Sequence, residues 1–283
     1  MILVEDLRKN YGRVKALRGL SLEIQRGEIF GLLGPNGAGK TTFIRILTSL
    51  TRPTDGRVWI NGLDINKYPE KVKRKIGLVP QYLNLDQELT AEENLEFYGR
   101  LYGMATGERK RRLEELLKFV GLAERASDLV EGYSMGMKRR LLIARALMPS
   151  PKVLLMDEPT VGLDPQTRRK LWELITALKN QGVTVLLTTH YIEEAERLCD
   201  RVGIIDEGRL IALGSPQELK NKVGLIAVEI MAPDGVKRRF FRNREKALEY
   251  GSRYYKENKC DFLLREANLE DVFIELTGRK IRE

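Results

Sequence analysis

The chain has 283 residues, 42% hydrophobic and 31% charged, which suits one large α/β domain with an appendage and excludes a fibrous, disordered or disulfide-built protein. Its 49 Lys and Arg against 40 Asp and Glu leave a net charge of +9, which admits nucleic acid or an anionic membrane surface as a neighbour without choosing between them. A single histidine and two distant cysteines, Cys199 and Cys260, exclude a zinc cluster and a disulfide framework, so catalysis must rest on carboxylates, backbone and metal.

The opening ILVEDLRKNY, the stretch ALRGLSLEI and the later RVWINGLDI alternate apolar and polar residues and predict hairpin-rich antiparallel sheet. Glu5 and Asp6 stand where a signal peptide requires apolar residues. No run reaches the roughly 18 apolar residues of a membrane span, so a cytoplasmic chain is expected. At EIFGLLG the pattern changes to a strand apolar on both faces, which ends in glycines and runs into the helically spaced TTFIRILTSL. KIGLVP, KVLLMDE, GVTVLLTTH and the weaker RVGIID are runs of the same kind. With helices between them they predict a buried parallel sheet.

From about residue 83 to 149 strand signals give way to helical ones. Thr90 and Glu93 are spaced as a capping box before ENLEFYGRLYGM, and ERKRRLEELLKFV stops at Gly121, a favourable residue just past a helix end. This segment reads as a helical insertion. Ser215, Pro216 and Glu218 mark one further capped helix start. Beyond it the tail, residues 220–283, reads as strand, a turn at Pro233, Asp234 and Gly235, strand, the helix EKALEYGSRYYKEN, strand, and the helix LEDVFIELTG. That is a small ββαβα domain.

The segment Gly34 to Thr42, GPNGAGKTT, satisfies GxxxxGK[ST] and lies between a predicted strand and a predicted helix, as that motif requires. The loop of Gly34, Pro35, Asn36, Gly37, Ala38 and Gly39 curls so that backbone N–H groups point at phosphate, and the following helix N-terminus adds a favourable field. Lys40 is expected to reach the β- and γ-phosphates of ATP, and Thr41, followed by Thr42, to ligate Mg²⁺. VLLMDE places Asp157 at the end of a buried strand, as a second hard oxygen ligand for Mg²⁺. Glu158 points to the other side of the strand axis, where it can polarise a water for attack on the γ-phosphate.

With these motifs the chain resembles the ATP-binding subunit of an ABC transporter over about residues 1–219. The resemblance implies a P-loop NTPase core of α/β class with an antiparallel β subdomain, a helical insertion subdomain, and a small C-terminal α+β domain at 220–283. It also implies roles for matching positions. Tyr11 resembles the aromatic residue that stacks on adenine. Gln81 resembles the glutamine that touches Mg²⁺ and links the core to the insertion. His190 matches the γ-phosphate contact, and Asp164 the dimer-interface loop, though Asp164 also reads independently as a helix N-cap before Pro165. The family's Leu-Ser-Gly-Gly-Gln signature stands here as Tyr133, Ser134, Met135, Gly136 and Met137. Ser134 reads as an N-cap at a ready-made anion site. In the family, the residues matching Ser134 and Gly136 meet the γ-phosphate held by the opposite subunit. Met135 departs from the pattern by adding a side chain where backbone approaches nucleotide.

ANLEDVFIELTG is similar to the closing segment of drug-resistance and ABC-2 type exporter ATPases. Its apolar face of Leu269, Val272, Phe273 and Leu276 is expected to pack onto the small domain. Residues 1–219 are then expected to fold and bind ATP alone, with the tail holding two subunits near each other. The implied activity is ATP hydrolysis driving an exporter, with ATP and Mg²⁺ bound between this chain and a second copy or a paralogous subunit. The partner is a separate membrane permease at the inner face of the cell membrane, and no direct nucleic-acid contact is expected. A soluble ABC ATPase acting on nucleic acid or the ribosome is the alternative. The single phosphate loop and the lack of a long heptad tract oppose it. Glu158 and His190 oppose a purely regulatory, non-hydrolysing subunit.

Overall fold

A computed structural model describes residues 1–233 and 235–278; Asp234, within the turn predicted after Pro233, and residues 279–283 lie outside the described residues. The predicted antiparallel sheet is formed by β1 (Ile2–Tyr11), β2 (Val14–Ile24), β4 (Asp55–Ile60) and β5 (Leu63–Asp64), in the order β2-β1-β4-β5. On β1 the buried positions are Ile2, Val4 and then Leu7. A register shift between Val4 and Leu7 resets the alternation and keeps all three on the core face.

The second sheet contains β3 (Ile29–Leu33), β6 (Ile76–Val79), β7 (Val153–Asp157), β8 (Thr184–Thr189), β9 (Arg201–Asp206) and β10 (Arg209–Gly214), in the order β10-β9-β3-β8-β7-β6. Five strands are parallel. The sixth, β10, runs antiparallel to β9 at the edge and was not expected from the sequence. RLIALG is only half buried, so it lacks the continuous apolar run of its neighbours. Its signal is the turn before it, where Glu207 and Gly208 both have positive φ, as a two-residue hairpin loop requires.

Alternate residues of the central strands supply two cores. Phe30, Val153, Leu155 and Leu186 join the inner face of the antiparallel sheet and Phe43 and Ile46 of α1 (Lys40–Leu47). Leu154, Met156, Val185 and Leu187 face a helical layer built from α5 (Met135–Leu147), α6 (Pro165–Asn180) and α7 (Ile192–Leu198). Burial on both faces explains why these strands read as unbroken apolar runs. The short α2 (Pro69–Lys73) precedes β6. The insertion consists of α3 (Ala91–Leu101), α4 (Thr106–Phe119) and α5, and Thr90 forms the expected capping box with Glu93. No helix among the described residues is long and apolar enough to cross a membrane.

After α8 (Pro216–Val223), capped by Ser215 and Glu218, the tail forms β11 (Ile226–Ala232), β12 (Gly235–Phe241), α9 (Arg244–Asn258), β13 (Phe262–Glu266) and α10 (Leu269–Thr277). The three strands make an antiparallel sheet, β12-β11-β13, and α9 covers the face carrying Val228 and Ile230. That face is therefore already filled. The expected packing of α10 onto the small domain is overturned. Leu269, Val272 and Phe273 lie in the larger core beside α7 and α8, Leu276 is half exposed, and Glu196 Oε1 accepts from the Leu269 N–H at 2.9 Å.

Candidate active site

β3 delivers the chain to Gly34, whose N–H donates to the Thr189 carbonyl at the end of β8. A side chain at Gly34 would lie 2.2 Å from the Ile205 carbonyl, and one at Gly39 would lie 2.5 Å from the Ala16 carbonyl at a φ of +105°. Only glycine lets the loop pass this close to β2 and β9. The Ala38 carbonyl accepts from Gly208 N–H and holds the loop's outer side. Lys40 opens α1 and bends back across the loop, where Nζ donates to the carbonyls of Gly34 at 2.8 Å and Pro35 at 3.1 Å. A cleft of about 460 Å³ opens beside it, lined among others by Asn36, Gly37, Thr41, Thr42, Gln81 and Glu158.

The two carboxylates at the end of β7 are both buried and held by different partners. Asp157 Oδ1 accepts from Thr188 Oγ1 at 2.6 Å and lies 3.4 Å from Thr41 Oγ1. Glu158 adopts a left-handed φ of +51°, a conformation that costs about 1–3 kcal/mol in a non-glycine residue. Its N–H donates to the Thr188 carbonyl and hydroxyl. The turned backbone places its carboxylate between Lys40 Nζ at 2.9 Å and His190 Nδ1 at 2.6 Å. Burial opposes its ionisation, but the His190 hydrogen bond and the Lys40 charge outweigh burial and hold the carboxyl below its ordinary range. A Glu158 carboxylate is therefore available at neutral pH.

The donor set fits a hard divalent ion completed by phosphate oxygens. The Thr41 hydroxyl and the Asp157 carboxylate converge, and Gln81 lines the cleft on which Thr41 also opens. Among the described residues no group of three or more His, Cys, Asp or Glu could hold a metal ion without such help.

Other expected site residues stand apart from the cleft. Tyr11 is not among its lining residues; its ring is half exposed with Lys9 Nζ 4.9 Å from the centroid, while Val14, its cross-strand partner, does line the cleft. Ser134 caps α5 by accepting from Met137 N–H, and Asp164 caps α6 by accepting from Gln166 and Thr167 N–H, both at 3.0 Å. Hydrogen bonding from Thr167 and then Gln166 holds the Asp164 carboxyl below its usual range. Ser134, Met135 and Asp164 are all exposed. Gly136 is buried, and a Cβ there would come 2.3 Å from Thr167 Cγ2, so the missing side chain lets α5 and α6 cross closely. That crossing brings the Ser134 and Asp164 caps to the same side of the molecule.

Two residues missed in the sequence complete the picture. Thr188 holds the Asp157 carboxylate and the Glu158 N–H, yet its partnership with Asp157 depends on the pairing of β7 with β8. Arg139 read only as part of a basic helix. It is buried, and its guanidinium donates to the Pro80 and Gln81 carbonyls at 2.8 and 3.0 Å, joining α5 to the segment that lines the cleft.

A family model described as ABC transporter matches residues 17–161. The linearmycin resistance ATP-binding protein of Bacillus subtilis (strain 168) is 39% identical over the whole of both chains. The Nod factor export ATP-binding protein I of Ralstonia nicotianae is 42% identical over 100% of this chain and 95% of that protein. The dimeric, post-hydrolysis structure of an ATP-binding cassette holding ADP and phosphate superposes with a TM-score of 0.69 at 33% identity, covering 76% of this chain and 98% of the other. The chain belongs to the ABC transporter family, as one of its ATP-binding and ATP-hydrolysing subunits.

Proposed function

We propose that this chain powers an exporter, in which two copies, or one copy and a paralogous subunit, close on two ATP molecules and drive a separate membrane permease. The observation that carries the reading is the Glu158 carboxylate held between Lys40 and His190 beside the phosphate loop. In this reading the loop N–H groups and Lys40 hold the β- and γ-phosphates, and Glu158 takes the proton of the attacking water. His190 fixes the carboxylate through its second oxygen. When bound, Mg²⁺ neutralises phosphate charge as it develops; Thr41 and Asp157 would hold it, with Gln81 beside them.

Ser134 and Asp164 are exposed caps on one side of the chain, which suits contact with the nucleotide and loop of a second subunit. Direction is inferred from relatives named for resistance and export. For the permease, an apolar cleft of about 730 Å³ lies between the insertion and the core, lined by Leu50, Leu85, Phe97, Tyr98, Leu101 and Arg145 among others. Leu50, Phe97 and Leu101 are largely exposed there, as expected of an interaction surface.

Glu158→Gln tests the reading. It should bind ATP with near-normal affinity, lose turnover by about 100-fold or more, and accumulate as an ATP-bound dimer on size-exclusion chromatography. Unchanged turnover would remove Glu158 from the base role.

A further inference from the structure

Three segments that carry candidate catalytic groups converge on a side chain outside the cleft. Glu194, in α7, is fully buried, and Trp172 Nε1 of α6 donates to its Oε1 at 3.2 Å. Its other oxygen, Oε2, is buried without a hydrogen-bond partner, as are Thr160 Oγ1 and Arg139 Nε. The hydroxyls of Thr160 and Thr189 are near enough to favour the ionised carboxyl group, and the Arg139 charge faces it from beyond ion-pair distance. Thr160 lies two residues beyond Glu158, Thr189 immediately precedes His190, and Arg139 holds the Gln81 carbonyl.

Packing alone does not call for a carboxyl group here. An apolar side chain of similar size would avoid the cost of burying a carboxylate with one oxygen unpaired. Orphaned buried polar atoms are few in folded proteins, and three of them belong to this one set of neighbours. Burial also pushes the Glu194 carboxyl above its ordinary range, so holding it here opposes stability.

We propose that Glu194 is a positioning residue for ATP hydrolysis, tying the loop beyond Glu158, through Thr160, to the Arg139 guanidinium that carries Gln81. It thereby sets the base and the cleft-lining glutamine in one relation. The inference rests on the roles proposed above for Glu158 and Gln81.

The test compares full-length Glu194→Gln, Thr160→Val and the double variant with wild type in steady-state ATPase assays across ATP concentrations, alongside melting temperature. A positioning role predicts that kcat falls about tenfold in each single variant while KM for ATP stays within about twofold, and that the double variant is no worse than the poorer single. Wild-type kcat per folded molecule in both single variants overturns it, as does additive loss in the double variant. If Glu194→Gln does not fold, Thr160→Val decides alone. Glu158→Gln, run in parallel, separates the two claims. Its retaining turnover would sink the site reading itself, whereas its inactivity beside fully active Glu194→Gln and Thr160→Val would sink only the positioning role.

Discussion

Lys40 and Glu158 make the most consequential pair of side chains, because each is only 5% exposed and each is the other's counterion. An incoming phosphate must draw Lys40 away from Glu158 or share it. Removing one member of a buried pair leaves the other charged and desolvated, a loss of about 3–5 kcal/mol. Here His190 also contacts Glu158, which moderates the loss. Lys40→Ala should therefore weaken nucleotide binding and also lower the melting temperature of the nucleotide-free chain. Adding Glu158→Gln should restore most of that stability without restoring binding. Thermal melts of the two variants decide the point, and a double variant no more stable than Lys40→Ala would show that Lys40 does not offset the burial of Glu158.

Among the elements, α5 connects the most parts of the site. Its Ser134 cap is exposed, Gly136 seats it against α6, Arg139 grips the Gln81 segment, and Arg145 Nη1 donates to the Asn84 carbonyl at 2.7 Å beside the apolar cleft. In the proposed dimer, a helix so anchored would carry displacement from the Ser134 cap to Gln81 and onward to the apolar cleft. Met135, in its first turn beside the Ser134 cap, is 50% exposed. Met135→Gly should leave monomer stability within about 1 kcal/mol, the intrinsic helix cost of glycine. If the methionine crowds the opposing nucleotide, turnover should rise with monomer affinity for ATP unchanged. A fall in turnover would mean that the methionine packs usefully between subunits.

At the scale of the whole molecule, the tail is not detachable at Leu219. The chain leaves the larger core after α8, builds its small sheet and α9, and returns to bury Leu269, Val272 and Phe273 beside α7. Arg265 of β13 binds Asp271 of α10 at 2.6 Å and Glu229 of β11 at 2.8 Å, so the small sheet is tied to the returning helix. Truncation after Leu219 would uncover apolar residues of the core rather than leave it intact. Phe273→Ala should destabilise the chain by about 3–5 kcal/mol, as expected for a fully buried phenylalanine. Nucleotide affinity per folded molecule should not change. Denaturant unfolding measures the first and titration the second; a stability loss below about 1 kcal/mol would mean that α10 is not part of the cooperative core.

What the sequence determined by itself was local. The phosphate loop is nine consecutive residues, and the caps at Thr90, Ser134, Asp164 and Ser215 each act on a backbone N–H no more than three residues away, so composition and spacing suffice to read them. Strand type was legible as well, because burial on both faces of β7 and β8 favours consecutive apolar residues, as in VLLM and VLL. What only the tertiary structure decided depends on where distant segments return. The Lys40–Glu158 pair spans 118 positions of chain, Thr188 meets Asp157 only through the β7–β8 register, and Glu194 gathers neighbours from three elements. The destination of α10 was settled in the same way. An amphipathic helix states that one face must be buried, but α9 already occupied the nearer sheet, and the free apolar surface lay on α7 and α8. Local hydrogen-bond geometry is set by a few adjacent residues, whereas packing partners are set by which surfaces the rest of the chain has left uncovered.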